Sequence, residues 1–489
     1  MKKIIYTPLV AFLFVFSSCD KDYLEVQPTD FVSEQAVFTT TTNAWAALNG
    51  IHRNMLIRQD DQSEFGEGGV KVNMDMLGED LAFASASNSW HRDTYRWNDH
   101  RNTNSNVSQY VWEFYYRMIG NANMIINNID AADGPEVDKQ AIKGQALVYR
   151  AWAHYQLVQV YGKRYDAGAN NDQLGVPIML VNSTEGEPRA SVEEVYAQVN
   201  ADLDEAMTLL EGYDRTYKSH FDVTVAKGLK ARVALTMQNW EAAAQYASEV
   251  IEESGATLMD RTQYTEGFNN IDNPEWIWGS RQIGDQQTYF ASFFAYMSAN
   301  FNSTNIRVNP KLINSALYDR IPATDIRSEM WDPTGESVPA PPNGTKAPYA
   351  SKKFLSESSA LSIGDVPHMR LAEIYLIKAE AYARMGQDDA AAEALYTLAS
   401  NRDPEYVKSA NTGQALVDEI LFQRRIELWG EGFRFLDLKR TNSGLDRTGA
   451  NHNLAYAVTM TVEPGVNDWE FLIPQGEVNS NPQIVQNPL

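Results

Sequence analysis

The sequence predicts a mainly α fold: a tetratricopeptide-repeat-like helical scaffold with long irregular loops and a few short strands. Three observations predict it. Apolar residues recur at three- and four-residue spacing along most of the chain. Two segments carry the small-and-aromatic rhythm of a helix-turn-helix pair. Strand-like runs are few and short.

Taken in order, the spacing predicts helices over 33–57, 108–129, 137–162, 191–211, 223–254, 367–402 and 413–429. Ser191 followed by Glu194 fits a capping box that opens the fourth of these. "PEWIWGSR" (274–281) and "WEFLIP" (469–474) are the strand candidates. In 371–401, Tyr375, Ala379, Tyr382, Ala391 and Leu395 fall at tetratricopeptide packing positions, and Ala231, Ala243 and Ala247 repeat the pattern in 227–250. A third pair joins 137–162 to 191–211 across the turn-rich "GKRYDAGANNDQLGVP". Repeats that each expose an apolar face must stack to bury it, so one continuous scaffold is expected.

The irregular stretches, roughly 60–107, 258–310 and 320–366, are long enough to be functional. They hold Trp90, Trp97, Tyr289, Phe290, Phe293, Phe294, Tyr296 and Trp331, too many aromatics for a disordered segment. "FGEGGV" (65–70) lacks a preceding strand and the dinucleotide spacing, and is taken as a flexible loop.

At 489 residues, 44% apolar and 21% charged, the chain is an ordinary globular protein of one large domain or two intimate lobes. Its formal charge of −23 argues against a general phosphate-binding surface, so no nucleic-acid partner is expected. Residues 1–18 combine a basic start with a short apolar run, the shape of a secretory signal and too short for a membrane span. The only cysteine, Cys19, follows Ser17 and Ser18 in a sequence that resembles a bacterial lipobox, with Phe16 in place of the usual Leu. Cleavage there and lipidation of Cys19 are expected. With one cysteine, intramolecular disulfides and cysteine-based metal sites are excluded.

Catalytic signatures are absent. There is no HExxH, CxxC, P-loop or G-x-S-x-G, and the seven histidines are scattered, so no metal or cofactor is expected. The charge-dense "RRIELWGEGFRFLDLKR" (424–440) carries Glu427 and Glu431 four apart beside Arg424, Arg425 and Arg434, which favours ionised, paired carboxylates over a raised-pKa acid. It predicts a helix end, a break at Gly430 and Gly432, and a second helical turn tied to the repeats by ion pairs.

Four stretches together resemble the SusD/RagB family of surface nutrient-binding lipoproteins: "CDKDYLEVQPTD", "WEFYYRMIGNANMIINNI", "QALVYRAWAHYQLVQVYG" with the following "GVPIM", and "RRIELWGEGFRFLDLKR" with "FLIPQGEVNSNPQIVQNP". They run in order along nearly the whole chain. The resemblance implies a SusD-like fold, with 19–220 and 221–489 as N- and C-terminal parts of one intimate structure. It also implies a lipid anchor in the cell outer membrane, facing outward, and a SusC-like TonB-dependent transporter as partner. No enzyme activity is implied.

A glycan site needs exposed aromatic platforms for sugar C–H faces and polar groups for the hydroxyls. "ASNSWHRDTYRWNDHRN" (86–102) offers Trp90, Tyr95 and Trp97 with Asn88, Arg92 and Asn98, and the resemblance makes Trp90 and Arg92 the leading candidates. "DQQTYFASFFAYMSANFN" (285–302) offers Tyr289 and Tyr296, while the spacing of Phe290, Phe293 and Phe294 predicts a buried helical face. Trp331 is a third option. Delivery of glycans or oligosaccharides to the transporter is the expected function. A secreted glycoside hydrolase and a tetratricopeptide protein-protein scaffold are the alternatives.

Overall fold

A computed structural model describes residues 38–86 and 90–489. Its helices of seven residues or more are α1 (Thr41–Asn54), α2 (Gly66–Leu77), α3 (Asn106–Asn128), α4 (Glu136–Tyr161), α5 (Val192–Leu209), α6 (Val223–Thr236), α7 (Trp240–Glu253), α8 (Leu371–Arg384), α9 (Asp388–Arg402), α10 (Gln414–Glu427) and α11 (Arg434–Arg440). Each expected helix is present where it lies among the described residues. Two of the long runs divide in two. The 223–254 run turns at Gln238, and the 367–402 run begins as a strand and turns at Gly386, both residues taking the left-handed backbone that stops a helix. The capping box at Ser191 forms, with the Glu194 amide donating to Ser191 Oγ at 3.2 Å.

The helix pairs stack. α4 packs on α5, α6 on α7 and α8 on α9, and the pairs meet through α5 with α6 and α7 with α8. Buried Ala231, Ala243, Ala247, Ala379 and Ala391 allow that close approach. α3 lies against α4, and α10 closes the far end against α8. Leu147, Val158, Leu203, Leu229, Val250 and Ile374 belong to one apolar core running through most of this stack.

The long irregular stretches form a layer with its own core, centred on Phe293, Phe294, Tyr296, Trp331, Phe354 and Trp429. A small antiparallel sheet orders it: β1 (Leu81–Phe83), β3 (Lys311–Ile313), β5 (Ala350–Ser351) and β4 (Trp331–Asp332), in that spatial order. β2 (Trp276–Ser280) pairs with β6 (Val366–Arg370) through an irregular register that buries both Trp276 and Trp278. The expected strand at 469–474 does not form. The Phe471 amide donates to Val160 O at 3.1 Å and the Leu472 amide to His100 O at 2.8 Å, so this segment threads between loops and the end of α4.

"FGEGGV" is not a flexible loop; it opens α2, which is buried throughout. A Cβ on Gly66 would strike the Met55 carbonyl, and one on Gly69 would meet the Tyr110 hydroxyl. The glycines therefore serve close packing of a helix.

In 424–440 the break falls at Gly430 and Gly432, both at positive φ, and α11 follows. Pairing occurs, but largely with other partners than the neighbouring arginines. Glu427 takes Arg327, Arg370 and Arg402, and Glu431 takes Arg370 and Lys353. Arg424 binds Asp437 at 2.8 Å, Arg425 binds Asp80, and Arg434 binds Glu79. No helix among the described residues is long and apolar enough to cross a membrane.

Candidate ligand-binding site

The segment 90–97 is a short helix, Arg92–Tyr95, bracketed by His91 and Trp97 at positive φ. That shape turns His91, Thr94, Tyr95 and Trp97 inward. His91 Nδ1 meets Asn73 Oδ1 at 3.0 Å, and burial lowers its pKa to about 3, so the ring is a neutral anchor. Tyr95 stacks on Phe83 at 4.2 Å, bonds His452 through its hydroxyl at 2.6 Å and lies under the Arg447 guanidinium. Trp97 donates from Nε1 to Leu77 O at 2.8 Å and sits edge-on to Trp469. The outer side keeps Trp90, half-buried, Arg92, partly exposed beside Asp93 at 3.9 Å, Arg96, partly exposed, and the exposed Asn98.

The second aromatic segment supplies the floor. Ser292 caps the short helix Phe293–Met297 by accepting the Ala295 amide at 3.1 Å, and that helix is buried throughout. Tyr296 is its hub: Phe65 stacks on the ring at 5.0 Å, Trp90 leans on it at 5.4 Å and His91 meets it edge-on at 4.9 Å. Its hydroxyl points to Gln62 O at 3.5 Å. Gln62 in turn donates to the Phe290 carbonyl at 3.2 Å. Residues 59–65, 90–92 and 289–296 therefore converge on one face.

The expectation that Tyr95, Trp97, Tyr296 and Trp331 offer open rings does not hold. All four are buried, and Trp331 packs edge-on against Trp429 at 5.5 Å inside the loop-layer core. Phe290 departs in the opposite sense. The helix starts only at Phe293, so Phe290 does not share its buried face and is 47% exposed, next to Tyr289 at 60%. Asn88 and Cys19 lie outside the described residues. Trp90, Arg92 and Tyr289 keep open surface; Phe290, expected to be buried, and Gln62, which the sequence did not single out, join them. Gln62 carries no signal of its own; a local turn over 59–64 presents it, and its contacts to Phe290 and Tyr296 are distant in the chain.

The face combines apolar ring surface, a guanidinium and a side-chain amide, which suits the C–H faces and hydroxyls of a sugar. Among the described residues no group of three or more His, Cys, Asp or Glu side chains is arranged to hold a metal ion.

Comparison with known proteins gives the same fold and a family. A family described as "Starch-binding associating with outer membrane" matches residues 22–235, and the SusD family matches 327–489. A SusD-like protein of Formosa agariphila is 25% identical over 90% of this chain and 91% of its own. The crystal structure of a SusD-like carbohydrate binding protein from Bacteroides vulgatus superposes with a TM-score of 0.81 at 27% identity, covering 91% of this chain and 98% of that one. A SusD superfamily structure from Bacteroides thetaiotaomicron, 24% identical, shares the fold with a TM-score of 0.79 over 92% of this chain and 100% of its own. With both halves matched in order and the whole fold superposed, the chain belongs to the SusD/RagB family.

Proposed function

We propose that the protein is a non-catalytic glycan-binding lipoprotein of the outer membrane that delivers oligosaccharides to a SusC-like TonB-dependent transporter. The observation that carries this reading is Trp90 resting on buried Tyr296, with Arg92, Tyr289 and Phe290 keeping open surface on the same two segments, in a member of a family whose relatives include a carbohydrate-binding protein. Trp90 and the Tyr289–Phe290 pair take the sugar faces, and Arg92 and Gln62 take hydroxyls; Asn88, close to Trp90 in sequence, is a further candidate. Cys19 carries the lipid, and the transporter receives the ligand from the aromatic face.

Incubating the purified protein with a polysaccharide panel tests this. Retention in affinity electrophoresis without new reducing ends is expected. Released reducing ends would make it a hydrolase, and no retention of any polysaccharide would leave the helical scaffold as the functional surface.

A further inference from the structure

On the outward side of α3, Gln109, Glu113 and Arg117 recur every four residues and form one stripe along the helix. Gln109 Nε2 donates to Glu113 Oε1 at 2.7 Å, and Arg117 reaches Gln59. The first part of the stripe borders a cavity of about 190 Å³ under the 59–64 turn. The second part opens into a cleft of about 430 Å³ between α3, the 183–187 loop and the 477–481 segment. Glu113 and Arg117 line both spaces, so the two meet on the stripe. Gln62 of the same turn donates to the Phe290 carbonyl, which ties the turn over the first cavity to the segment that carries Tyr289 and Phe290. From Asn106 to Arg117 the helix covers about 16 Å, longer than a single sugar ring.

The far cleft is built and fixed. Asn123, Asn127 and Asn182 stitch the 179–182 strap to α3, through Met179 O at 3.0 Å, Leu180 O at 3.2 Å and Gly120 O at 3.1 Å. Tyr116 donates to Pro177 O at 2.9 Å, and Asn481 Nδ2 donates to Glu187 O at 2.9 Å from the opposite wall. Trp112 and Tyr116 lie in the wall, their rings 4.7 Å apart. Trp112 is only 5% exposed, while the Tyr116 ring beside it keeps part of its surface open. A partly open aromatic ring on the wall of a cleft is a surface for the C–H face of a sugar.

Charge restricts the ligand. The two spaces are lined by seven carboxylates and one guanidinium, Arg117, which is already engaged by Gln59. In a concave surface such a field repels anions and raises the local concentration of neutral or hydroxyl-donating groups relative to them. The geometry points to a second stretch of the ligand path: an extended, uncharged oligosaccharide lies along the α3 stripe, with one end on the Trp90–Phe290 face and the other in the Trp112–Tyr116 cleft. This rests on the glycan-binding reading above and adds the ligand's length and charge class to it.

Calorimetry with dimers and octamers of neutral malto-, xylo-, manno- and laminari-oligosaccharides, and with alginate and carrageenan oligomers, tests it. At least one neutral octamer is expected to bind about tenfold or more tightly than its dimer. Thr184→Trp and Ser480→Trp, both at exposed positions of the cleft, should erase that gap while leaving dimer affinity and thermal midpoint unchanged. A gap unchanged in both variants, or alginate or carrageenan bound more tightly than every neutral series, overturns the proposal. Dimer binding that is indifferent to Trp90→Ala would instead overturn the aromatic face, and no binding at all would remove both.

Discussion

Arg402 grips Glu427 twice, Nε to Oε2 and Nη2 to Oε1, both at 3.1 Å, and neither side chain has exposed surface. Arg402 closes α9 and Glu427 closes α10, so the contact locks the end of the repeat stack. Arg370 from β6 and Arg327 from the loop layer reach the same carboxylate, and Glu275 joins through Arg370 and Arg402. Burial alone would raise the pKa of Glu427, but Arg402, Arg370 and Arg327 outweigh it and hold the group well below the carboxylate range. The charge-dense stretch thus joins the helical stack to the loop layer that carries the aromatic face.

Removing the hub charge leaves three buried guanidiniums short of a partner. Glu427→Gln should cost about 3–5 kcal/mol, because breaking one side of a buried ion network strands the other side. Denaturant unfolding measures it. A midpoint within error of the wild type would mean the arginines find other acceptors and the network is not a structural lock.

Stability should fall steeply in acid. Burial opposes ionisation of Glu431 and Asp437, but Arg370 with Lys353, and Arg424 with Arg440, bring them to about 2. Such depressed carboxylates stabilise the fold above their unfolded values of about 4 and lose that contribution as pH drops through about 2. His100 and His154, lowered to about 3 by burial, add the same sign from about 6.5 downward. Asp75 runs the other way: burial raises it to about 8, partly offset by the Gly432 amide at 2.8 Å. It keeps its proton in the folded state, so stability declines as pH rises from about 4 to about 8. Asp75→Asn retains an acceptor oxygen and should flatten that decline. Thermal midpoints at pH 5 through 8 decide it, and parallel curves for variant and wild type would exclude Asp75 as the source.

The helical scaffold was legible because packing at three- and four-residue spacing is local information, as was the pairing of Ala243 and Ala247 with their neighbours. α2 was not, because its glycines answer to Met55 and Tyr110, contacts that no local pattern carries. The exposure of the candidate site's residues was half legible for the same reason. Aromatic density marked the 90–97 and 289–296 segments, but which ring of each turns inward depends on long-range partners, Phe65 for Tyr296 and His452 for Tyr95. The Phe290 and Tyr296 roles came out exchanged because helix spacing was applied three residues before the helix begins.

If Cys19 carries the lipid as proposed, membrane attachment should depend on it. Cys19→Ala is expected to move the protein from the membrane fraction to the soluble fraction in cells, since the acyl chains on that residue would supply the attachment. Persistent membrane association of the variant, after separation from any transporter, would contradict the lipid-anchor reading.

The aromatic residues divide into two classes that one set of substitutions can separate. Trp331 is fully buried against Trp429, so Trp331→Ala should destabilise the protein by about 3–5 kcal/mol, the range for a large ring lost from a packed core. Trp90 is half-buried and rests on Tyr296, whose ring is held on its other contacts by Phe65 and His91. Trp90→Ala and Phe290→Ala should therefore leave unfolding nearly unchanged and weaken retention of a bound polysaccharide about tenfold, equivalent to about 1.4 kcal/mol each. Affinity electrophoresis and thermal melts on the three variants give the comparison. Loss of stability without loss of retention in Trp90→Ala would place that ring with Trp331, as a plug of the loop layer, and would move the ligand toward Tyr289 and the α3 stripe.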